Sequence, residues 1–241
     1  PPKVYNRLKG EYEPDDYTDI GQAKVFEKVF GEVVKFSPET RCIVYNGVYW
    51  EESDEKARLL VHQLTELQMQ DADSLLKFWE TELKEAGAGV GLDEKLTTKQ
   101  ITSVLTAKQK VIYEQYQRAV QYKAFVLKRR GTFAINAVLK EAAPHLAIVV
   151  GTLDSETYLL NTPAGTYDLR AGADVVYPHK AEDYITKVTA VSPSDEGMEL
   201  WEAMLDVVFC GDQELKSYVQ QLAGLAAIGG VFAENCLRRR S

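Results

Sequence analysis

The feature of this sequence that most constrains its fold is the stretch 54–86, which contains neither Pro nor Gly. Large apolar residues recur along it at helical spacing, namely Leu60, Leu64, Leu67, Leu75, Leu76 and Trp79. Apolar residues spaced in this way form one face of an amphipathic helix. A helix of this length needs other elements to cover that face, so the stretch favours a predominantly helical fold.

Further helical segments follow from the glycine and proline breaks and from capping residues. A short helix is predicted over residues 19–30, with Asp19 as its N-cap and Gly31 at its end. Further helices are predicted over residues 98–106, 107–130, 132–144, 195–209 and 212–229. Asp195 and Asp212 are predicted to be the N-caps of the last two of these helices.

Short β-type runs fall into two groups. The first group covers residues 33–36, 42–45 and 48–50, and its Asn46-Gly47 pair predicts a tight hairpin because both turn residues tolerate positive φ. The second group covers residues 158–160, 166–169 and 184–191. The sequence therefore predicts an α+β fold that is predominantly helical, with a small N-terminal β-meander, a central helical bundle, a short β-unit and a C-terminal helix pair.

The same elements suggest a division into segments. We expect an extended leader at 1–17, a small α+β unit at 18–52, a helical region at 53–147, a β-unit with the C-terminal helices at 148–235, and a tail at 236–241. The sequence begins at Pro1 without a Met, which indicates a processed or excised piece of a longer protein.

Charge is distributed unevenly along the 241 residues, although the net charge is −8. Residues 1–94 hold 11 basic and 20 acidic side chains, a net charge of −9. Residues 131–241 hold 8 basic and 15 acidic side chains, a net charge of −7. Between them, residues 95–130 hold nine basic side chains and only Glu114, a net charge of +8. Such a basic block in an acidic protein indicates a local electrostatic function.

The predicted helix 107–130 carries most of this basic block. Its apolar stripe is predicted to consist of Tyr113, Tyr116, Val120, Ala124 and Leu127, with the tyrosines in the core. The helix is about 35 Å long, enough to follow several phosphates. One interpretation is sequence-independent contact with DNA phosphates, through Lys108, Lys110, Arg118, Lys123, Lys128, Arg129 and Arg130. The other is a solvated face that neutralises the acidic regions on either side.

Catalytic patterns are absent from the sequence. The histidines His62, His145 and His179 are isolated, and Gly87–Gly91 lacks the Lys-Ser/Thr that a phosphate-binding loop needs. Neither a metal-spaced carboxylate cluster nor a CxxC pair occurs. We therefore expect no enzyme activity, no metal and no cofactor in this chain. With no membrane span and no signal peptide, a cytoplasmic location is expected.

Three groups of residues, taken together in their order and spacing, resemble a known family. The first is DIGQA at 19–23 with Phe26 and VYNGVYW at 44–50, and the second is LLNTPAGTYDLRAG at 159–172. The third comprises His179, YITK at 184–187, Trp201, DQEL at 212–215 and LAG at 222–224. They resemble the poxvirus-type N-terminal domain of phage and plasmid primase–helicases over about residues 18–235. Ala164 departs from the family pattern, where an Asn is usual.

This resemblance implies a collar module that precedes a superfamily 3 helicase domain, which would bind ATP and Mg²⁺. The parent protein would be an ATP-dependent DNA helicase in the cytoplasm of a bacterial host cell. The implied partners are DNA (single-stranded or forked), the helicase domain of the same polypeptide, and further copies that form a ring, with a hexamer as one option; no membrane partner is implied. Within the motifs, Asn161, Gly165, Asp168 and Gly172 are interpreted as turn-formers, and Trp50 and Trp201 as core anchors.

Two other functions remain open at this stage. The chain could be a pure oligomerisation scaffold without DNA binding, in which the acidic block 1–94 meets the basic block 95–130 of another subunit. It could also be a two-metal enzyme that uses Asp15, Asp16 and Asp19, the nearest approach to a carboxylate cluster.

Overall fold

The structure is a computed structural model that describes residues 9–39, 41–93, 95–172 and 174–229. Within this part of the chain, seven α-helices and two small three-stranded sheets confirm a predominantly helical α+β fold. The helices are α1 (Asp19–Phe30), α2 (Asp54–Glu85), α3 (Thr98–Val104), α4 (Ala107–Arg129), α5 (Thr132–Ala142), α6 (Met198–Val208) and α7 (Gln213–Ala226). The strands are β1 (Val34–Ser37), β2 (Arg41–Tyr45), β3 (Trp50–Glu52), β4 (Leu159–Thr162), β5 (Gly165–Asp168) and β6 (Val176–Tyr177).

Two compact units divide the chain differently from the predicted segments. Of the described residues, unit 1 contains 9–36 and 53–147, and unit 2 contains 37–52 and 148–229. The predicted segment 18–52 is thus split, because Trp50 packs into unit 2. The indole N–H of Trp50 donates to the carbonyl of Ala181 at 2.8 Å, and its ring stacks on Tyr184.

Unit 1 is a helical bundle in which α2 packs along α4 and α1 packs against α5. Its core includes Trp79 and Leu83 of α2 and Tyr122 and Val126 of α4, all buried. A fully buried amide pair also joins α1 to α2. The side chains of Gln22 and Gln68 donate to each other at 2.7 and 2.9 Å, so neither amide is buried without a partner.

The described part of the leader, residues 9–17, also belongs to unit 1, and the prediction that it is extended is wrong. It forms turns and bends, with Glu13 and Pro14 buried. Its backbone is tied to α2, since the N–H of Tyr12 donates to Asp71 and the Gln68 side chain donates to the Tyr12 carbonyl. Packing of this polar segment depends on partners more than 50 residues away, which local composition does not reveal.

In unit 2, β2 and β3 form an antiparallel hairpin, but β3 begins at Trp50 and not at Val48 as predicted. The Asn46 side-chain oxygen accepts hydrogen bonds from the N–H groups of Val48 and Tyr49, both at 3.0 Å. Because this side chain closes the turn, residues 46–49 form a four-residue loop and Val48 cannot pair with β2. The hairpin forms as predicted, but the prediction of a two-residue turn is wrong.

The second sheet has the antiparallel order β4-β5-β6. The short strand β6 was not predicted. The segment 184–191, which was predicted to be a strand, does not form one. The latter segment is held by separate hydrogen bonds, including one from the Thr189 N–H to the Asn161 carbonyl. Gly165 of β5 has a φ of 148°, and a Cβ there would lie 2.5 Å from the Tyr177 carbonyl oxygen of β6.

The helix pair α6–α7 is confirmed, with Asp212 as the N-cap of α7. One Asp212 carboxylate oxygen accepts from the N–H groups of Glu214 and Leu215, both at 3.0 Å. Asp195 does not cap α6, since that helix begins after Gly197, which adopts positive φ. Trp201 is 38% exposed, so its interpretation as a core anchor is wrong. Apolar residues occur on nearly every side of α6, and Trp201 does not lie on the side that packs against the rest of unit 2.

Candidate nucleic-acid interface

The seven cations predicted to contact DNA lie on α4 and its C-cap residue Arg130. A capping box fixes the start of this helix, because Thr106 and Gln109 each use the side chain to bond the other's backbone N–H. At the other end, Lys128 and Arg129 lie in the last turn, where the helix dipole favours positive charge. The sequence therefore forms α4 over nearly the predicted range.

The face of α4 that packs inward differs from the predicted stripe. Tyr113 is buried as predicted, but Val120 is 37% exposed and Leu127 is 56% exposed. The buried residues are Ile112, Tyr113, Ala119, Tyr122, Phe125 and Val126. The helix carries more apolar residues than one face can hold, and contact with α2 selects a set rotated from the predicted one.

Arg118 points into the body of unit 1, where it pairs with Glu13 of the leader. Its Nε and one terminal nitrogen donate to the same Glu13 oxygen at 3.0 and 2.9 Å. The Glu13 side chain is only 2% exposed, and it also accepts from the Tyr17 hydroxyl at 2.8 Å and from the Gly10 N–H at 3.0 Å. Burial, followed by the Glu13 carboxylate, raises the pKa of the Tyr17 hydroxyl well above its usual range.

Three more of the predicted cations also have carboxylate partners inside unit 1. Lys123 lies 2.7 Å from Asp73 of α2. Arg129 pairs with Asp19 at the start of α1, and its guanidinium lies 4.7 Å from the centre of the Phe125 ring. Arg130 pairs with Glu66 of α2. These pairs are partly exposed, and they fasten α4 to α1 and α2.

The remaining three predicted cations, Lys108, Lys110 and Lys128, are exposed and have no ion-pair partner among the described residues. Lys95 and Lys99 share this property, with the same restriction to the part of the chain that the structure describes. Sequence reasoning missed these two because it confined the site to one helix. Their only sequence signal was membership of the +8 block.

The motif residue Asn161 is a buried hydrogen-bonding centre and not simply a turn-former. Its amide nitrogen donates to the carbonyls of Val48 and Lys187 at 2.9 and 3.1 Å. Its side-chain oxygen accepts from the Thr166 hydroxyl at 3.2 Å and lies 2.8 Å from Nδ1 of His179. This arrangement satisfies the amide internally, so it serves structure in unit 2 and leaves no open position for a ligand.

The carboxylates considered for a two-metal site each have a different partner. Asp15 pairs with Lys9 at 2.5 Å, and this contact lowers the pKa of the Asp15 carboxyl. Asp16 accepts from the backbone N–H of Thr18, and Asp19 pairs with Arg129. Among the residues that the structure describes, no group of three or more His, Cys, Asp or Glu side chains is placed to hold a metal ion.

None of the described helices is both long and apolar enough to span a membrane. No curated protein matches the chain closely enough to serve as a relative. A family profile described as D5 N terminal like matches residues 23–210, which is more than half of the chain. This is a non-catalytic domain family found at the N-terminal side of primase–helicases. The chain therefore belongs to the D5 N terminal like family, the N-terminal domain of phage and plasmid primase–helicases.

Proposed function

We propose that this chain is the collar module of a DNA replication helicase, which assembles as a ring and contacts DNA electrostatically without catalysing a step itself. The observation that supports DNA contact is the set of five lysines without ion-pair partners among the described residues. They are Lys95, Lys99, Lys108, Lys110 and Lys128, and they are called the free lysines below.

The free lysines matter because the other four cations of the basic block are already neutralised by carboxylates of unit 1. Five lysines against Glu114 leave a net charge of +4 in residues 95–130. Ammonium groups that face solvent on a helix bind phosphates as point charges, without reading base sequence. The proposed ligand is accordingly the backbone of single-stranded or forked DNA.

The test is DNA affinity at several salt concentrations for the variant K95E/K99E/K108E. Lys99 and Lys108 lie in the first turns of α3 and α4, where Glu suits the helix dipole, so folding should be retained. Each lost phosphate contact on a single strand lowers the log–log salt slope by roughly 0.7, so three contacts lower it by about 2. A matched control reverses three exposed lysines outside the basic block, K77E/K140E/K187E.

Native affinity in K95E/K99E/K108E at low salt would refute DNA contact through these residues. Equal losses in the triple variant and in the control would indicate an effect of net charge alone. Circular dichroism of each variant establishes that the helices are retained before affinities are compared.

Catalysis in the parent protein is proposed to reside in a helicase domain of the same polypeptide, with its ATP and Mg²⁺, in the cytoplasm of the bacterial host cell. The present chain is then expected to show no ATP hydrolysis with or without DNA. A phosphate-release assay on this chain tests that expectation, and turnover that survives rigorous purification would contradict it.

A pure oligomerisation scaffold without DNA binding is the second candidate, because the ion pairs within unit 1 reduce the positive charge that is available to DNA. Arg118, Lys123, Arg129 and Arg130 bind carboxylates of residues 13–73 inside one chain. They therefore stabilise the bundle, and a scaffold would have to assemble through contacts other than these cations and the acidic block of another subunit. Light scattering across salt concentrations, with and without DNA, separates the candidates. Self-association of a chain that shows no measurable affinity for DNA would favour the scaffold.

A further inference from the structure

The helix α6 carries an apolar stripe that nothing in the described part of unit 2 covers. Leu200, Met204 and Val207 follow at intervals of four and three residues, which places them on one side of the helix. Leu200 is 76% exposed and Val207 is 79% exposed. On the neighbouring helix α7, Leu215, Tyr218 and Leu222 are exposed as well. Exposed apolar side chains on two neighbouring helices are typical of an interaction surface.

A second uncovered stripe lies on α4 in unit 1. Val120, Ala124 and Leu127 are all exposed, and they follow the same spacing of four and three residues. Two helical stripes of equal period can interdigitate side chain by side chain when they cross at a shallow angle. The two faces therefore match in pattern as well as in apolar character.

The charges around the two stripes are complementary. Residues 188–215, which include α6, contain seven acidic side chains and no Lys or Arg. Glu199 and Glu202 of α6 are exposed and have no ion-pair partner within the described residues. On α4, the exposed Lys110 and Lys128 both lie about 80° around the helix axis from Val120, at roughly 100° per residue, and so flank the stripe. Two copies of the acidic α6 surface would repel each other, whereas α6 and α4 would attract.

We propose that a second copy of this chain covers these faces, with the α4 stripe of one protomer packed on the α6–α7 face of the next. Such a contact joins two different surfaces, so it is heterologous and repeats from copy to copy. A repeated heterologous contact closes into a ring when its rotation allows. The inference rests on the proposed ring-forming function and assigns the surfaces that build the ring.

The test compares three variants that each replace one leucine and one valine by glutamine, a good helix former. V120Q/L127Q alters the α4 stripe and L200Q/V207Q alters the α6 stripe. L59Q/V104Q is the matched control, since Leu59 and Val104 are exposed elsewhere in unit 1. The replaced side chains are exposed, so each variant should fold, as circular dichroism would show. Molar mass is measured by sedimentation velocity in the absence of DNA.

We expect the native chain and L59Q/V104Q to associate alike, and each stripe variant to associate roughly tenfold or more weakly. An equimolar mixture of V120Q/L127Q and L200Q/V207Q retains one native pair of surfaces for every two chains. The mixture should therefore form heterodimers that do not grow into larger assemblies.

Several outcomes would overturn the assignment. Native association of either stripe variant, or a mixture that behaves as the separate variants do, would show that these faces do not meet between copies. If the native chain associates in either case, ring formation survives and only the proposed interface fails. A native chain that stays monomeric at all concentrations would refute both. DNA binding is judged separately, because K95E/K99E/K108E leaves both stripes intact.

Discussion

The replacement Arg118→Met removes the cationic partner of Glu13 while keeping a long side chain that favours helix. Within the part of the chain that the structure describes, the buried Glu13 carboxylate would then keep only the Tyr17 hydroxyl and the Gly10 N–H as donors. Breaking a buried pair in this way costs about 3–5 kcal/mol, because an uncompensated charge remains in the protein. For a chain of this size, such a loss lowers the melting temperature by about 6–20 °C.

Denaturant unfolding followed by circular dichroism measures this loss in unit 1, which holds most of the helix. The double variant E13Q/R118M should recover part of the lost stability, because it also removes the buried charge that R118M leaves without a partner. Comparing the double variant with E13Q and R118M gives the coupling energy of the pair. Lys123→Met is the comparison, since its pair with Asp73 is about half-exposed and should contribute less than about 1 kcal/mol.

If R118M lowers the free energy of unfolding by less than about 1 kcal/mol, the Arg118–Glu13 pair does not stabilise the packing of residues 9–17 on α4. The same variant also bears on function. If Arg118 is occupied by Glu13, R118M leaves DNA affinity unchanged, measured well below its melting temperature. Reduced affinity in a fully folded R118M would instead identify Arg118 as a phosphate contact.

Three further predictions concern single side chains. Asn161→Ala removes the buried amide that bonds the carbonyls of Val48 and Lys187, so unit 2 should lose at least about 2 kcal/mol in denaturant unfolding. Gly165→Ala places a Cβ against the Tyr177 carbonyl at positive φ and should cost roughly 2 kcal/mol or more, measured likewise. Burial and the nearby Asp71 raise the pKa of Tyr122. The contribution of the protonated Tyr122 hydroxyl to the free energy of unfolding is therefore complete below about pH 10, the pKa of a Tyr in the unfolded chain. Above that pH the free energy of unfolding should fall by about 1.4 kcal/mol per pH unit. Unfolding curves measured at alkaline pH should lose this slope in Tyr122→Phe.

The helices were predictable because their signals are local. The uninterrupted pattern at 54–86 predicts α2 to within a residue, and Asp212 caps α7 as its position before an apolar run indicates. The strands were less predictable, since β3 depends on how the Asn46 side chain closes its turn. The segment 184–191 has β-type composition, but Lys187 and Thr189 bond the buried Asn161 in place of a neighbouring strand.

The candidate interface shows a different limit of sequence reasoning. The basic block and its seven named cations were identified from charge alone, but the sequence does not show which charges are already paired. The partners of Arg118 and Arg129 lie 105 and 110 residues away along the chain. Only the fold reveals that these cations serve the bundle and that Lys108, Lys110 and Lys128 remain available.

The apolar stripe predicted on α4 carries information even where the single chain leaves it uncovered. The periodicity that includes Val120, Ala124 and Leu127 predicts burial, yet these side chains face solvent in unit 1. Periodic leucine and valine residues are typical of a helix face that another surface covers. The mismatch between a predicted buried face and an observed exposed one therefore supports the proposal that another copy covers the α4 stripe. On α6, Leu200, Met204 and Val207 form an exposed stripe with the same spacing. These two faces, and not the paired cations between α4 and α2, are therefore the surfaces at which the proposed assembly should be tested.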